Sequence, residues 1–431
     1  MKEFVKAFES VNGVSAWVIR KNRTVQRQRY LLRDGTESER NVEDATITVT
    51  IHHVDDAGQG EAQFTVPDDG RPPDPRLIED AVFRASLQGN PPYTLPEPGQ
   101  LQNVERKDPA LAGEVRAALD DVQERAFAAL AGERDIRLSA CEIFASRSES
   151  EIRTSAGVQA QSEATSLLLE LVVLAGRGLE ETESYGSYSV RRLSDLRVEE
   201  IVATHARRAR ETLRAELPST RTGPVVLSDG SFTPLLGPFV FATSGDSLYR
   251  KMTTFSPGDP LLGKRPILGD PLSLSSDATL PYGSESTPFD PEGLALRRVP
   301  AIEGGNFREI LAPKRYADYL SVPPTGGWHN RVLAPGTAKA ADLLAPSDGP
   351  VLHVVEFSWL NPDNVRGGFA TEIRLGYEIS PSGTRVIKGG SLSGNVFDAF
   401  ANVRFSAESE LRGRYSGPAA LRFEELSVTG A

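Results

Sequence analysis

Hydrophobic and polar residues alternate with a period of two near the start of the chain. Residues 45–51 (ATITVTI) alternate threonine with apolar side chains, which is typical of a strand buried on one face. Gly58 and Gly60 are expected to end this hairpin before a second strand at 62–66. The proline-rich segment 90–99 (NPPYTLPEPG) then predicts a rigid connector at the surface.

A second group of strands is predicted between residues 136 and 175. Turns are expected at 148–150 and at 155–157, where small and polar residues cluster. The last strand, 166–174, is almost wholly apolar and is therefore expected to be buried. Short strands joined by tight turns predict an antiparallel sheet.

Three amphipathic helices are predicted around these strands. Pro73 is expected to open the first helix, Asp108 and Pro109 to begin a long second helix that ends at Gly132, and Ser194 to cap the third. Their expected buried positions are Leu77, Ile78, Val82 and Phe83; Leu111, Val115, Leu119, Val122, Ala126 and Leu130; and Val198, Ile201, Val202, His205, Ala209 and Leu213. A helix with one apolar stripe must bury it, so we expect these helices to cover one face of the sheet.

The second half of the chain is poorer in helical patterns and richer in Gly, Pro and Ser. Leu217-Pro218-Ser219 is the expected boundary, which gives an N-terminal domain of residues 1–217 and a C-terminal domain of residues 218–431. Strands are predicted at 351–357, 370–379, 384–388 and 421–428, and a helix at 396–403. The predicted fold class is α+β, with a mixed α/β N-terminal domain built on an antiparallel sheet and a strand-rich C-terminal domain.

Length and charge narrow the class of protein. A chain of 431 residues is longer than one core usually holds, which favours two domains. The formal net charge of -11 argues against a nucleic-acid partner, because phosphate binding needs clustered cations. Neither a signal sequence nor an apolar membrane segment is visible, so the expectation is a cytoplasmic protein without a membrane partner. The single cysteine, Cys141, is expected to be a small buried side chain.

The segment from Gly223 to Lys251 is the place where local chemistry is most plausible. It begins with a β-branched strand, 224–227, and continues into an apolar segment, 235–242, that is predicted to form a helix. It also contains Gly245-Asp246-Ser247-Leu248, which resembles the nucleophile block of GDSL esterases. Such an enzyme also needs a histidine to take the serine proton and an acid to orient that histidine. This acid is expected three positions before a C-terminal histidine. That position is Gly326 for His329 and Pro350 for His353, so the acid is absent.

Other residues offer weaker signals for a site. His53 and Asp55 could share a metal because they lie on the same face of a strand, whereas a polar strand end is the simpler interpretation. His205 lies on an apolar helix face and is predicted to be a core histidine. Asp290 and Glu292 could form a carboxylate pair, although their Pro/Gly turn favours backbone capping. No complete catalytic set is visible.

The order of several short segments resembles the TldD/PmbA family. Its members pair as a metal-bearing TldD subunit and a TldE (PmbA) subunit. The resemblance runs through most of the chain, in segments 90–96 (NPPYTLP), 153–157 (RTSAG), 203–215, 224–227 (PVVL), 287–293 (TPFDPEG), 324–326 (PTG), 393–395 (SGN) and 421–430.

The resemblance also implies where metal ligands would stand. In the metal-bearing subunit a helix after the strand that matches 224–227 carries His-Glu-x-x-x-His, whose histidines bind zinc while the glutamate handles the proton of the attacking water. Carried over by spacing, these positions fall on Gly237, Pro238 and Ala242, none of which can ligate a metal. A further family cysteine ligand near the C-terminus has no counterpart in 413–417.

The resemblance therefore implies a TldE-like subunit with no catalytic residue and no metal of its own. The expected partner is a TldD-like subunit that holds zinc, and the expected substrates are peptides and poorly structured proteins, including precursor peptides of modified natural products. Two other functions stay open. One is a GDSL-like serine hydrolase that uses Ser247, and the other is a stand-alone homodimer that binds extended peptides at its sheet edges.

Overall fold

The computed structural model describes residues 2–33, 35–113, 115–346 and 349–430. The first half forms one six-stranded sheet in the order β3-β2-β1-β4-β5-β6, in which every neighbouring pair is antiparallel. Its strands are β1 (Ala16–Leu32), β2 (Gly35–Asp55), β3 (Gly58–Pro67), β4 (Ile136–Thr154), β5 (Gln159–Ala175) and β6 (Thr182–Val190).

Helices pack against this sheet in two groups. The helices are α1 (Lys2–Glu9), α2 (Pro75–Ser86), α3 (Pro109–Ala112), α4 (Val115–Ala131) and α5 (Val198–Thr212). Ile78 of α2 is buried with Ile19, Val49 and other residues of β1 to β3. A second core joins α3, α4 and α5 to β4 and β5. The predicted arrangement of an antiparallel sheet covered by helices is confirmed.

Two further sheets make up most of the second half. One has the order β10-β9-β8-β11-β18-β17, and the other has the order β12-β7-β19-β15-β13-β14, with β16 paired to β19. The strands are β7 (Arg221–Ser228), β8 (Leu274–Asp277), β9 (Arg298–Glu303), β10 (Asn306–Phe307), β11 (Asn330–Leu333), β12 (Val351–Phe357), β13 (Gly368–Ser380), β14 (Gly383–Ile387), β15 (Ser391–Asn395), β16 (Val403–Phe405), β17 (Ser409–Arg412), β18 (Tyr415–Pro418) and β19 (Ala420–Thr429).

Short helices connect these two sheets around one shared core. They are α6 (Gly237–Ala242), α7 (Gly245–Tyr249), α8 (Lys314–Leu320), α9 (Ala340–Leu343) and α10 (Val396–Ala399). Phe239 of α6, Phe307 of β10 and Phe423 of β19 are all fully buried in this core. The strand-rich second half is therefore confirmed, and with it the α+β fold class. The boundary between residues 217 and 218 stays a prediction.

The predicted long helix from Pro109 to Gly132 is wrong, because α3 and α4 are separate. Gly113 leaves the helical conformation, with φ -84° and ψ -126°. The carbonyl oxygen of Ala112, at the end of α3, accepts a hydrogen bond from the guanidinium of Arg147 at 3.2 Å. This contact satisfies a carbonyl that would otherwise need a continuing helix.

The turn predicted at 148–150 is also wrong. Ser148 lies within β4, where it is opposite Thr24 of β1 and Ala164 of β5. Backbone pairing on both sides of the strand outweighs the turn preference of two serines. The turn predicted at 155–157 is confirmed, and it lies between β4 and β5.

Three details of the predicted helices also differ. Ser194 lies in a 3-10 turn, Leu193–Asp195, ahead of α5, whose N-cap residue is Arg197. In α2 the side chains of Phe83 and Leu77 are exposed, and the buried positions are Ile78, Ala81 and Ala85. In α5 the expected buried residue Leu213 is exposed, and it follows the last helical residue.

None of the helices formed by the described residues has the length and apolar character needed to cross a bilayer.

Candidate functional site

The segment from Gly223 to Lys251 leads from the sheet that contains β7 into α6 and α7. It begins in β7, whose neighbours are β12 on one side and β19 on the other, so residues 225–227 lie on an interior strand of the sheet and are fully buried. The 3-10 turn Thr233–Leu236 leads directly into α6. The structure thus places a short apolar helix where the sequence predicts one.

The helix α6 is packed closely around the three positions at which the family resemblance places metal ligands. Pro238 and Ala242 are buried. A Cβ atom on Gly237 would lie 2.9 Å from Oδ1 of Asn364, closer than ordinary van der Waals contact. Between these positions Phe239 contacts the rings of Phe397 and Phe400, with ring centroids 5.5 and 5.0 Å apart.

The zinc that the family resemblance implies for the metal-bearing subunit does not fit α6 of this chain. Gly237, Pro238 and Ala242 carry no side-chain donor atom, and aromatic packing fills the space beside them. Within the described residues, no group of three or more His, Cys, Asp or Glu side chains is arranged to hold a metal ion.

Ser247 lacks the surroundings of a hydrolase nucleophile. It lies in α7 with only 3% of its surface exposed, and the neighbouring Asp246 pairs with Arg250. Each histidine has a hydrogen-bond partner elsewhere: His52 with Gln59, His53 with Gly13, His205 with Ser184 and Tyr188, His329 with Glu285, and His353 with Ser228. The GDSL tetrapeptide therefore begins a helix and stands apart from any base.

We expect Ser247→Ala to leave unchanged any labelling of the chain by a fluorophosphonate probe. The reason is that a buried serine without a histidine partner stays a weakly nucleophilic alcohol. Labelling of the unaltered chain that disappears in Ser247→Ala would instead establish a serine hydrolase.

The remaining candidates are structural. Asp55 contacts His53 at 3.3 Å and also accepts a hydrogen bond from the backbone N–H of Ala57, so both side chains close the β2–β3 hairpin. His205 is a buried core histidine, as predicted, and burial lowers its pKa to about 4. Cys141 is buried, and this burial raises the pKa of its thiol to about 12.

A polar cluster joins the two halves of the chain at Tyr93. The Tyr93 hydroxyl lies 2.9 Å from Oε2 of Glu61 on β3 and 3.0 Å from Oε1 of Glu292 in the loop after β8. Arg315 of α8 donates to Oε1 of Glu61 at 3.0 Å and lies over the Tyr93 ring. On another side, the ring of His52 meets the Tyr93 ring edge to face.

Burial sets the electrostatics of this Tyr93 cluster. Burial, and after it the nearby Asp290 carboxylate, raise the pKa of Glu292 to about 7. Burial also raises the pKa of Tyr93 and lowers the pKa of His52. Asp290 caps its own turn by accepting from the backbone N–H groups of Glu292 and Leu294, as the sequence suggested. The role of Glu292 in the cluster was not predicted.

A cavity of about 850 Å³ opens beside the Tyr93 cluster. It lies between the N-terminal sheet and the second half of the chain, since its walls include His52 and Tyr93 on one side and Leu294 and Lys314 on the other. The connector segment around Tyr93, Thr94 and Leu95 forms part of the wall. Movement of this connector would therefore change access to the cavity.

Two loops with exposed apolar side chains flank α10, the helix whose Phe397 packs on α6. One loop carries Leu268, 66% exposed, whose backbone N–H donates to the carbonyl of Ala401 in the 3-10 turn Phe400–Asn402 directly after α10. The other carries Trp359, 64% exposed, and is joined to α10 where the Val396 N–H donates to the carbonyl of Gly367. Ile267 and Val365 are exposed on the same two loops. We call the two loops that carry these four residues the α10 apolar loops.

Comparison with known families matches most of the chain in two parts. Residues 105–213 match the PmbA/TldA metallopeptidase central domain, and residues 220–430 match the PmbA/TldA metallopeptidase C-terminal domain.

Similar proteins and structures agree with these matches. Metalloprotease PmbA of Escherichia coli O157:H7 is 30% identical over 244 residues, which are 54% of this chain and 52% of that protein. A Metalloprotease PmbA homolog of Haemophilus influenzae is 30% identical over 155 residues, 35% of this chain and 34% of that protein. The matches thus span about half, or less, of these relatives. The crystal structure of TldE from Thermococcus kodakarensis has the same fold, with a TM-score of 0.82 at 17% identity over 100% of this chain and 99% of that one.

Proposed function

Because the chain belongs to the PmbA/TldD metallopeptidase family, we propose that it is the non-catalytic, TldE-like subunit of a two-chain zinc peptidase. In this proposal a TldD-like partner holds the zinc and carries out hydrolysis. This chain completes the wall of a shared chamber that receives peptides and poorly structured proteins, including precursor peptides of modified natural products.

The observation that carries the proposal is the packing of α6. At Gly237, Pro238 and Ala242 this chain has residues without donor atoms. Phe239, between them, contributes its ring to the core of the second half. A helix that keeps its place in the fold while its three ligand positions serve packing is expected of a subunit whose role is assembly.

The α10 apolar loops support a protein partner. Single exposed apolar residues are ordinary on protein surfaces, whereas several grouped at one place often mark an interaction site. Trp359 and Leu268 are two-thirds exposed and lie on loops that flank α10, which packs on α6 through Phe397. A partner that covers both loops would bury these tryptophan and leucine side chains.

The proposal predicts a one-to-one complex with a metal-bearing family member from the same source. Native mass spectrometry of the two purified chains, alone and mixed, is the direct measurement. A species with the summed mass of the two chains supports the proposal. If the mixture contains only the two separate proteins, or only a homodimer of this chain, the two-chain assignment is wrong.

A further inference from the structure

The hydroxyl of Tyr93 lies at hydrogen-bonding distance from two carboxyl groups, those of Glu61 and Glu292. If both glutamates were ionised, the three groups would have one proton too few for both hydrogen bonds. A tyrosine hydroxyl has one hydrogen to donate. Its oxygen lies 2.9 Å from Glu61 and 3.0 Å from Glu292, both hydrogen-bonding distances. If both carboxyl groups were ionised, one of them would face the hydroxyl oxygen with no proton between the two atoms. Both contacts are hydrogen bonds only when one carboxyl group is protonated and donates to the tyrosine oxygen.

The surroundings assign this proton to Glu292. Glu61 forms an ion pair with Arg315 at 3.0 Å, so of the two carboxyl groups it is the one that already has a positively charged partner. The charged groups around Glu292 are Glu61 of β3, Arg315 of α8 and Asp290 of its own turn, and burial is the largest influence on its charge. The pKa of Glu292 is accordingly raised to about 7.

The other sides of the cluster hold groups that do not neutralise a charged Glu292. On the β2 side the ring of His52 packs against Tyr93. This histidine is neutral because burial lowers its pKa. Arg315 also contacts Tyr319 of the same helix. His329 and Arg20 act on Asp290, the neighbouring carboxyl group.

We propose that Glu61, Tyr93, Glu292 and Arg315 form a proton-controlled latch between the N-terminal sheet and the second half of the chain. When Glu292 is protonated, the chain of hydrogen bonds Glu292 to Tyr93 to Glu61 is complete and holds the connector in place. When Glu292 loses its proton, two carboxylates compete for one hydroxyl hydrogen and repel each other, so the connector is released.

The latch controls a defined part of the structure. Besides the hydroxyl contacts, the backbone N–H of Tyr93 donates to Oε1 of Gln59 at 2.7 Å, and the backbone N–H of Thr94 donates to Oδ2 of Asp318 at 3.0 Å. Tyr93 and Thr94 also form part of the wall of the 850 Å³ cavity. Release of Tyr93 therefore moves part of the wall of this cavity, and protonation holds that wall in place.

Hydrogen–deuterium exchange of the full chain tests the latch. Exchange of segment 90–97 is measured between pH 6 and pH 8 and corrected for the intrinsic pH dependence of amide exchange. A carboxyl group with a pKa of about 7 when closed and an ordinary pKa of 4.5 when open makes opening about tenfold more favourable over this interval. We expect protection of the segment to fall by about that factor.

Three variants separate the latch from other titrations. In Glu292→Gln a neutral amide replaces the carboxyl group, so protection should no longer depend on pH. In Tyr93→Phe the ring stays while the hydroxyl is lost, so protection should be low at both pH values. Glu356→Gln is the matched control, because Glu356 is a half-buried carboxyl group whose pKa burial also raises, and it pairs with Arg374 outside the latch. It should behave like the unaltered chain.

The result that overturns the latch is equally specific. Constant protection of segment 90–97 in the unaltered chain excludes a proton-dependent opening. A tenfold loss that persists in Glu292→Gln or in Tyr93→Phe assigns the titration to other groups. Since the two variants change different residues, failure of one to fold leaves the other to decide.

Discussion

Replacing Trp359 or Leu268 by aspartate is expected to weaken binding of the metal-bearing subunit by about 100-fold or more. Both side chains are two-thirds exposed on the α10 apolar loops, so the substitutions remove little from the core of the isolated chain. In a complex that buries them, each aspartate would place an unpaired charge in an apolar contact, and truncation of a central aromatic residue alone typically costs about 2 to 4 kcal/mol of binding. Titration calorimetry with the partner subunit measures the effect.

The matched control for this change is Leu87→Asp. Leu87 is 71% exposed and follows α2 in the other half of the chain. We expect its dissociation constant to equal that of the unaltered chain. If Leu87→Asp weakens binding and Trp359→Asp does not, the partner binds elsewhere.

Phe239→Ala is expected to lower the free energy of unfolding by about 3 to 5 kcal/mol. Phe239 is fully buried in α6, and its ring contacts those of Phe397 and Phe400. Removing the ring leaves a cavity in the core and breaks two edge-to-face contacts, each worth about 0.5 to 1.5 kcal/mol beyond the area it buries. Chemical denaturation followed by circular dichroism measures the loss.

Phe83→Ala serves as the comparison, because Phe83 is 61% exposed on α2. A change of the same residue type at an exposed position should stay within about 0.5 kcal/mol. A loss below 1 kcal/mol for Phe239→Ala would mean that α6 contributes little to packing, and the proposed reason for its retention would fail.

Local patterns in the sequence predicted many elements of this fold. The alternation in 45–51 lies within β2, the apolar run 166–174 lies within β5, and the apolar segment 235–242 corresponds to a 3-10 turn followed by α6. In these cases neighbouring residues determine the structure. One error occurs where a distant residue contributes, since Arg147 contacts the end of α3 from 35 positions away.

The Tyr93 cluster could not be found from local patterns. Tyr93 is 32 residues from Glu61 and 199 residues from Glu292, and the contact depends on how the two halves of the chain meet. Of the cluster residues, the sequence singles out only Glu292 as a candidate site residue, and the Pro/Gly turn that it shares with Asp290 favours capping. Asp290 caps the turn, whereas Glu292, two residues later, points to Tyr93.

The family resemblance leads to a different kind of prediction, because it transfers the family's ligand positions to this chain by their spacing from shared segments. It places the ligand positions at Gly237, Pro238 and Ala242, and all three lie on α6, where Pro238 and Ala242 are buried and Gly237 is half-buried. That the helix has a packing role is a result of the structure, because the contacts of Phe239 with Phe397 and Phe400 join segments more than 150 positions apart.

Zinc-dependent hydrolysis of an unstructured peptide tests the central claim most directly, with this chain alone, the metal-bearing subunit alone and the two together. The proposed role predicts no hydrolysis by this chain alone, and hydrolysis by the mixture that a chelator abolishes and that the Trp359→Asp variant fails to support. Chelator-sensitive hydrolysis by this chain purified on its own would contradict it.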